Sequence, residues 1–258
     1  MGEYWIEGGR RLMGAATASG AKNAVLPILA ATVLSGGKSV ILGAPELTDT
    51  FITLEILKTL GCETSFEDGI ITVDSSGLSS TVVPAELVKR MRSSIIFMGA
   101  LLGKYGNVTI SFPGGCDLGV RSIDYHLKAL RKMGAEIKEE GGLLVCEAKK
   151  LAGAPISFNT PSVGATQNVM LAAVFAEGET VISNAAREPE IVDLSDFLCK
   201  MGAKVKGAGT GTIVVSGVNS LSGTEHKIIP DRIVAGTYLY APLPYPQHIK
   251  SKNQGPRP

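Results

Sequence analysis

One short pattern occurs three times along the chain, and it restricts the fold more than any other feature. Leu57-Lys-Thr-Leu-Gly61-Cys-Glu-Thr returns as Leu130-Arg-Lys-Met-Gly134-Ala-Glu-Ile and as Leu198-Cys-Lys-Met-Gly202-Ala-Lys-Val. Each copy leads into a polar turn and a short run, Ile70 to Val73, Leu143 to Cys146 and Thr212 to Val215. A second landmark precedes each copy: Leu34-Ser-Gly-Gly-Lys-Ser-Val-Ile41, Leu102-Gly-Lys-Tyr-Gly-Asn-Val-Thr-Ile110 and Phe175-Ala-Glu-Gly-Glu-Thr-Val-Ile182. Both landmarks read as a helix stopped by glycine, which takes the left-handed conformation at little steric cost, followed by a strand. The unit is therefore helix, strand, helix, strand, strand, present three times.

The first helices are expected over Ala21 to Leu34, Ala85 to Leu102 and Gly164 to Phe175. Ala24, Val25, Leu26, Ile28, Leu29 and Val33 cover more than one face, so such a helix is buried around most of its circumference. The second helices are amphipathic, with Leu54, Leu57 and Leu60 on one stripe and Asp49 and Asp193 placed to cap their starts. The expected fold class is α/β: an inverse three-unit domain with central helices, small mixed sheets outside and pseudo-threefold symmetry. A long parallel sheet is disfavoured, because a hairpin after each second helix interrupts the strand and crossover alternation.

Residues are 45% hydrophobic but only 5% aromatic, so the interior must be filled by Ala, Val, Ile and Leu. A formal charge of +1 provides no general attraction to nucleic acid or acidic membranes, and any anion has to be held by a local arrangement. The apolar stretches are short and interrupted, and no signal-peptide pattern follows Met1, so a cytoplasmic location without membrane contact is expected. Cys62, Cys116, Cys146 and Cys199 are too dispersed for a zinc knuckle; free thiols, no metal and no cofactor are expected.

Spacing singles out the middle unit. Gly37 to Gly61 and Gly178 to Gly202 are each 24 positions apart, whereas Gly106 to Gly134 is 28. The four extra residues fall around Pro113-Gly-Gly-Cys-Asp-Leu-Gly119, a turn-rich loop that carries Cys116. Arg121, five positions on, can favour a thiolate there, and the thiol can act as proton donor or as nucleophile.

Ser19-Gly-Ala-Lys22-Asn23 leads into the first buried helix, where backbone donors and the Lys22 ammonium suit a phosphate and Asn23 suits a hydroxyl or carbonyl. Arg92 precedes a strongly apolar turn and can reach an anion or a carboxylate. Asp124 and His126 read equally as a capping network or as ligand contacts, and no Ser-His-Asp arrangement is visible. Ser162-Val163-Gly164-Ala-Thr166 opens the third buried helix, as a cap or as a diphosphate or ribose site. Arg187-Glu188-Pro189-Glu190 reads as a solvated capping cluster, in preference to carboxylates that order Arg187 beside a catalytic side, and Met98, Met170 and Met201 read as core.

Taken together, Ser19-Gly-Ala-Lys-Asn-Ala, Phe112-Pro-Gly-Gly-Cys-Asp-Leu-Gly-Val-Arg121, Ser162-Val-Gly-Ala-Thr, Asn184-Ala-Ala-Arg-Glu-Pro-Glu-Ile-Val-Asp193 and Pro230-Asp-Arg232 resemble the UDP-N-acetylglucosamine enolpyruvyl transferases, in order, as far as about Leu239. The resemblance implies transfer of the enolpyruvyl group from phosphoenolpyruvate to the 3-hydroxyl of UDP-N-acetylglucosamine, releasing phosphate, in peptidoglycan synthesis. It implies two inverse α/β domains, here residues 21–229 as the intact one, with 1–20 and 230–258 as parts of the second. Lys22, Arg92 and Arg121 would contact phosphoenolpyruvate and Asn23 the sugar. Arg121, Ser122, Ile123, Asp124, Tyr125 and His126, with Ser162, Val163 and Gly164, would hold the UDP group, and Cys116 would sit on a mobile lid. Two departures stand out: Thr160 and Pro161 replace a commonly basic position, and Tyr240 to Pro258 shows no repeat, so a catalytic aspartate and a late arginine have no counterpart.

Overall fold

The computed structural model describes residues 5, 14–114 and 122–240. The chain divides into two compact units, Gly20–Ile229 and the pair of segments Met1–Ser19 and Pro230–Pro258.

The larger unit holds three copies of helix, strand, helix, strand, strand. The first comprises α1 (Lys22–Ala31) with a 3-10 turn (Thr32–Leu34), β1 (Lys38–Leu42), α2 (Thr48–Thr59), β2 (Glu63–Glu67) and β3 (Ile70–Asp74). The second is α3 (Ala85–Arg90), a 3-10 turn (Arg92–Ile95), α4 (Ile96–Tyr105), β4 (Asn107–Ser111), α5 (Asp124–Lys132), β5 (Glu136–Glu140) and β6 (Leu143–Glu147). After β7 (Pro155–Ser157) the third follows, as α6 (Val163–Ala173), β8 (Glu179–Ser183), α7 (Pro189–Met201), β9 (Lys204–Lys206) and β10 (Thr212–Ser216), then β11 (Glu225–Lys227). This is the α/β architecture expected from the repeats.

The repeated glycines stop their helices in the same way. Gly61, Gly134 and Gly202 have φ of 101°, 99° and 109°, in the left-handed region. The next residue closes a six-to-one bond in each copy: Cys62 N to Leu57 O, Ala135 N to Leu130 O and Ala203 N to Leu198 O, at 2.9, 3.0 and 2.9 Å.

Each sheet starts from an antiparallel trio in which the last strand of the unit lies between the other two, with β1 and β2 flanking β3. A fourth, parallel segment comes from the stretch that follows a neighbouring unit. β7 joins β8, Val82 bridges to Thr109 of β4, and β11 returns to pair with β1. Every unit thus lends its tail to the next, and the third lends its tail to the first, so the arrangement closes on itself. These edge segments are too short to show an alternating period, and the repeat read from sequence lacked them.

The apolar helices lie at the centre. Ala24, Val25, Ile28 and Leu29 of α1, Met98 and Leu101 of α4 and Val169, Met170 and Leu171 of α6 are all fully buried. Met201 is buried as well, and the methionines serve as core.

Three expectations are corrected. The helix expected from Ala85 to Leu102 is broken at Met91, whose φ of −143° and ψ of 116° are extended. Ser94 holds the break: its hydroxyl donates to the Met91 carbonyl at 2.6 Å and faces the Val88 carbonyl at 3.3 Å, giving the backbone an alternative to the helix. Neither Asp49 nor Asp193 caps its helix: Asp49 is the second residue of α2 and pairs with Lys22, and Asp193 is the fifth residue of α7, buried against His226. Glu190 is 2% exposed rather than solvated, and it sits in the first turn of α7 behind Pro189, where the helix dipole favours a carboxylate.

In the smaller unit, α8 (Arg232–Tyr240) begins at Asp231, whose Oδ1 accepts from the Ile233 and Val234 N–H groups at 2.8 and 3.1 Å. The Asp231 N–H donates to the Ser19 carbonyl at 2.8 Å, tying the two segments together. The irregular tail expected beyond Tyr240 lies outside the described residues. Among the described residues no helix is long and apolar enough to cross a membrane.

Candidate functional site

The three central helices run parallel, so their beginnings meet at one end of the Gly20–Ile229 unit. α4 and α6 are in intimate contact along their length, because Gly99 packs on Asn168 and Gly103 on Ala172, one turn further along both helices. A Cβ at either glycine would collide with the α6 backbone. At the far end the Tyr105 hydroxyl donates to the Val33 carbonyl at 3.4 Å, which joins the end of α4 to the end of the α1 segment. The near end therefore gathers Lys22 and Asn23, the Arg92–Ile95 turn, and Ser162 to Gly164. Helix beginnings present backbone N–H groups and the positive pole of the helix dipole, which suits an anion.

Lys22 and Asn23 are exposed there. The Lys22 ammonium lies 2.7 Å from Asp49 Oδ2 at the start of α2. Thr53, one turn on, donates to the Asp49 carbonyl at 2.8 Å and comes within 3.6 Å of Met91 Sδ, which links this pair to the turn carrying Arg92. Pro27 lies inside α1 and has no N–H, so the helix offers the Asn23 carbonyl no donor four residues on. On α6, Ser162 is the N-cap and its hydroxyl accepts from the Ala165 N–H at 3.4 Å.

His126 comes to the same place from α5. It is 6% exposed, and its Cε1 and Nε2 edge lies against Gly164, where a Cβ would sit only 3.3 Å from Cε1. Its Nδ1 is 2.8 Å from Nδ2 of Asn168. Burial, and secondarily the Arg92 guanidinium, push the imidazole down to a pKa of about 4. His126 is accordingly neutral near pH 7, not a second cation beside Arg92.

A profile of the family described as EPSP synthase (3-phosphoshikimate 1-carboxyvinyltransferase) matches residues 6–258. The chain belongs to this enolpyruvyl transferase family. The match runs past Leu239, where the resemblance by motif had stopped. UDP-N-acetylglucosamine 1-carboxyvinyltransferase 2 of Caldanaerobacter subterraneus subsp. tengcongensis is 53% identical over 241 residues, covering 93% of this chain and 58% of that protein. The enzyme of the same name from Carboxydothermus hydrogenoformans is 49% identical over 239 residues, covering 93% of this chain and 57% of the relative. The chain thus spans less than three-fifths of the length of these relatives. Among solved structures, the enolpyruvyl transferase NikO from Streptomyces tendae superposes with a TM-score of 0.79 at 25% identity, over 91% of this chain and 56% of NikO. EPSP synthase from Acinetobacter baumannii gives 0.72 at 22% identity, over 90% and 53%, a likeness of fold.

In this enolpyruvyl transferase domain, then, the residues singled out from sequence fall into two groups. Arg92, His126 and Gly164 form one cluster, and Lys22 and Asn23 share its end of the unit. Ser122 accepts from the Asp124 N–H at 3.0 Å, Ile123 is the N-cap of α5, and Tyr125 packs its ring 5.5 Å from that of Phe158. Val163 is partly buried as the first residue of α6. Cys116 and Arg121 lie outside the described residues. Cys62 and Cys146 are free and buried, and burial raises both thiols to about 11, which leaves them inert near pH 7.

Two features were not read from sequence. Asn168 ends a run of three buried polar residues in α6, Thr166, Gln167 and Asn168, and that polar run at the start of a buried helix is the signal that could have marked it. The other is the buried pair in which His226 Nε2 lies 2.8 Å from Asp193 Oδ1, with Lys200 Nζ 3.3 Å from Nδ1.

Proposed function

We propose that the gathered helix beginnings bind UDP-N-acetylglucosamine, and that this 258-residue chain holds the ligand without turning it over. The observation that carries this reading is the meeting of three helix starts with Lys22, Arg92 and the Ser162–Gly164 turn at one end of a single unit. Two relatives near 50% identity are named for the UDP-N-acetylglucosamine reaction, which supports the amino-sugar substrate over a shikimate-type one. Binding without turnover is supported by the 57–58% of those relatives that the chain spans.

In the parent reaction on this reading, the enolpyruvyl group of phosphoenolpyruvate passes to the 3-hydroxyl of the sugar and phosphate leaves, the first committed step of peptidoglycan synthesis in the cytoplasm. Positive character develops at the carbon under attack while the departing phosphate carries negative charge. Lys22, Arg92 and Arg121 stabilise that phosphate, and Cys116 supplies a proton or takes up the carbon. Asn23 orients the sugar. The 121–126 segment and Ser162–Gly164 hold the UDP group. Residues 21–229 act as the intact domain, with 1–20 and 230–258 as parts of a second.

Ligand-detected titration with UDP-N-acetylglucosamine, followed by a phosphate-release assay with phosphoenolpyruvate, tests both halves. Saturable binding displaced by UDP and no phosphate above background are expected. Robust turnover would overturn the binding-only reading, and no binding would overturn the substrate assignment.

A further inference from the structure

We propose that Asn168 is a positioning residue that fixes His126 as a neutral imidazole protonated on Nε2, presenting one hydrogen-bond donor beside Gly164 to an uncharged or anionic oxygen of the bound nucleotide. This deepens the UDP-N-acetylglucosamine reading and rests on it for the identity of the ligand, but not for the state of the ring.

The orientation of the Asn168 amide follows from its partners. Its Oδ1 accepts from the Gly99 N–H, and its Nδ2 donates to the Ile95 carbonyl at 3.0 Å. Gly99 and Ile95 are four residues apart, the donor and acceptor that a regular helix would pair. The amide is therefore seated on one N–H and one C=O where the 3-10 turn passes into α4. Flipping it would set donor against donor and acceptor against acceptor.

With Nδ2 so defined, its second N–H faces His126 Nδ1 at 2.8 Å, and that ring nitrogen has to accept. The ring proton is then on Nε2, on the edge that lies against Gly164. Gly99 is needed because a Cβ there would strike Asn168, and Gly164 leaves room for the imidazole edge. Among the described residues the charged group that acts on the ring is Arg92, from the turn before α4; the face of α6 against it supplies the uncharged Asn168 and Gly164, and Asp124 and Lys128, two positions away on α5, point to other faces of that helix. Nδ1 is taken up by the Asn168 amide, and burial together with Arg92 opposes a second proton on the ring. A neutral donor also keeps recognition steady while solution pH varies, which a histidine cation would not.

The test uses the full chain, labelled with 15N, and reads the histidine ring nitrogens directly, with His126 assigned by the signal lost in His126→Gln. The Nε2-protonated form is expected from about pH 8 down to about pH 5. Asn168→Ala removes the constraint without adding charge, and Asn168→Asp offers Nδ1 an acceptor that draws a proton to it. Both variants are expected to change the ring signals and to weaken UDP-N-acetylglucosamine roughly tenfold, and Asn168→Asp to make binding depend on pH near neutrality. An Nδ1-protonated ring in the unaltered chain, or an imidazolium appearing above about pH 6, would overturn the proposal without any variant having to fold. Unchanged affinity and a flat pH profile in both variants would overturn the positioning role. If the unaltered chain bound no UDP-N-acetylglucosamine while its ring signals behaved as described, the substrate reading would fail and the fixed imidazole would stand.

Discussion

The two buried histidines of the Gly20–Ile229 unit face opposite chemistry. His226 has a carboxylate on Nε2, a lysine on Nδ1 and the Phe197 ring edge-on at 5.5 Å. His126 has an amide on Nδ1 and a glycine against its other edge. The Asp193–His226 contact joins α7 of the third unit to β11, the strand that returns to the first sheet, and Asp193 Oδ2 also accepts from the Ile229 N–H at 3.4 Å. The lesson is one of placement: a histidine on an ionic partner holds the ring of units closed, whereas one on a neutral partner is held ready at the helix beginnings.

Breaking the ionic partner should have the largest effect. Asp193→Ala leaves His226 Nε2 and the Ile229 N–H without their acceptor, and a loss of about 4 kcal/mol in urea unfolding is expected. A loss below about 1 kcal/mol would reduce the contact to an incidental one.

The neutral partner is probed by pH. His126 is depressed to about 4 when folded against 6.5 when unfolded, so the unfolded chain binds the extra proton first. Its contribution is complete above about pH 6.5 and is lost as pH falls toward about 4, by up to about 3 kcal/mol. Unfolding measured across that window should show the slope, and His126→Gln should flatten it. An unchanged slope in that variant would assign the acid sensitivity to carboxylates.

Gly99→Ala tests the seat of Asn168. The added methyl meets Asn168 on the neighbouring helix, and a cost of about 2 kcal/mol with altered His126 ring signals is expected. The smallest effect on stability should come from Lys22→Gln, because the pair with Asp49 is half exposed; less than about 1 kcal/mol is expected, together with weaker phosphoenolpyruvate binding in a ligand titration.

The repeated glycine landmarks made the fold legible, since a left-handed stop three times at one phase of the pattern leaves little choice of architecture. Lys22 and Gly164 were legible as charged or small residues at helix beginnings, whereas Arg92 was read inside the helix expected from Ala85 to Leu102. The break at Met91 was not, because Arg92, Ser93 and Ser94 are all compatible with a helix until the Ser94 hydroxyl finds the Met91 carbonyl. Asp193 looked like a cap because its partner, His226, is 33 residues away and comes near only when the last strand returns to the first sheet. Asn168 was hidden for a similar reason: its value lies in Gly99 and His126, on two other helices.

The closing of the ring by β11 has a consequence for the chain's path. The Ala21 N–H donates to the Ile229 carbonyl at 2.8 Å, so the polypeptide crosses into and out of the unit at adjoining points. A body whose two ends adjoin can be carried as an insert within a longer polypeptide, or cut at an outer hairpin and rejoined at those ends, with little disturbance to its interior.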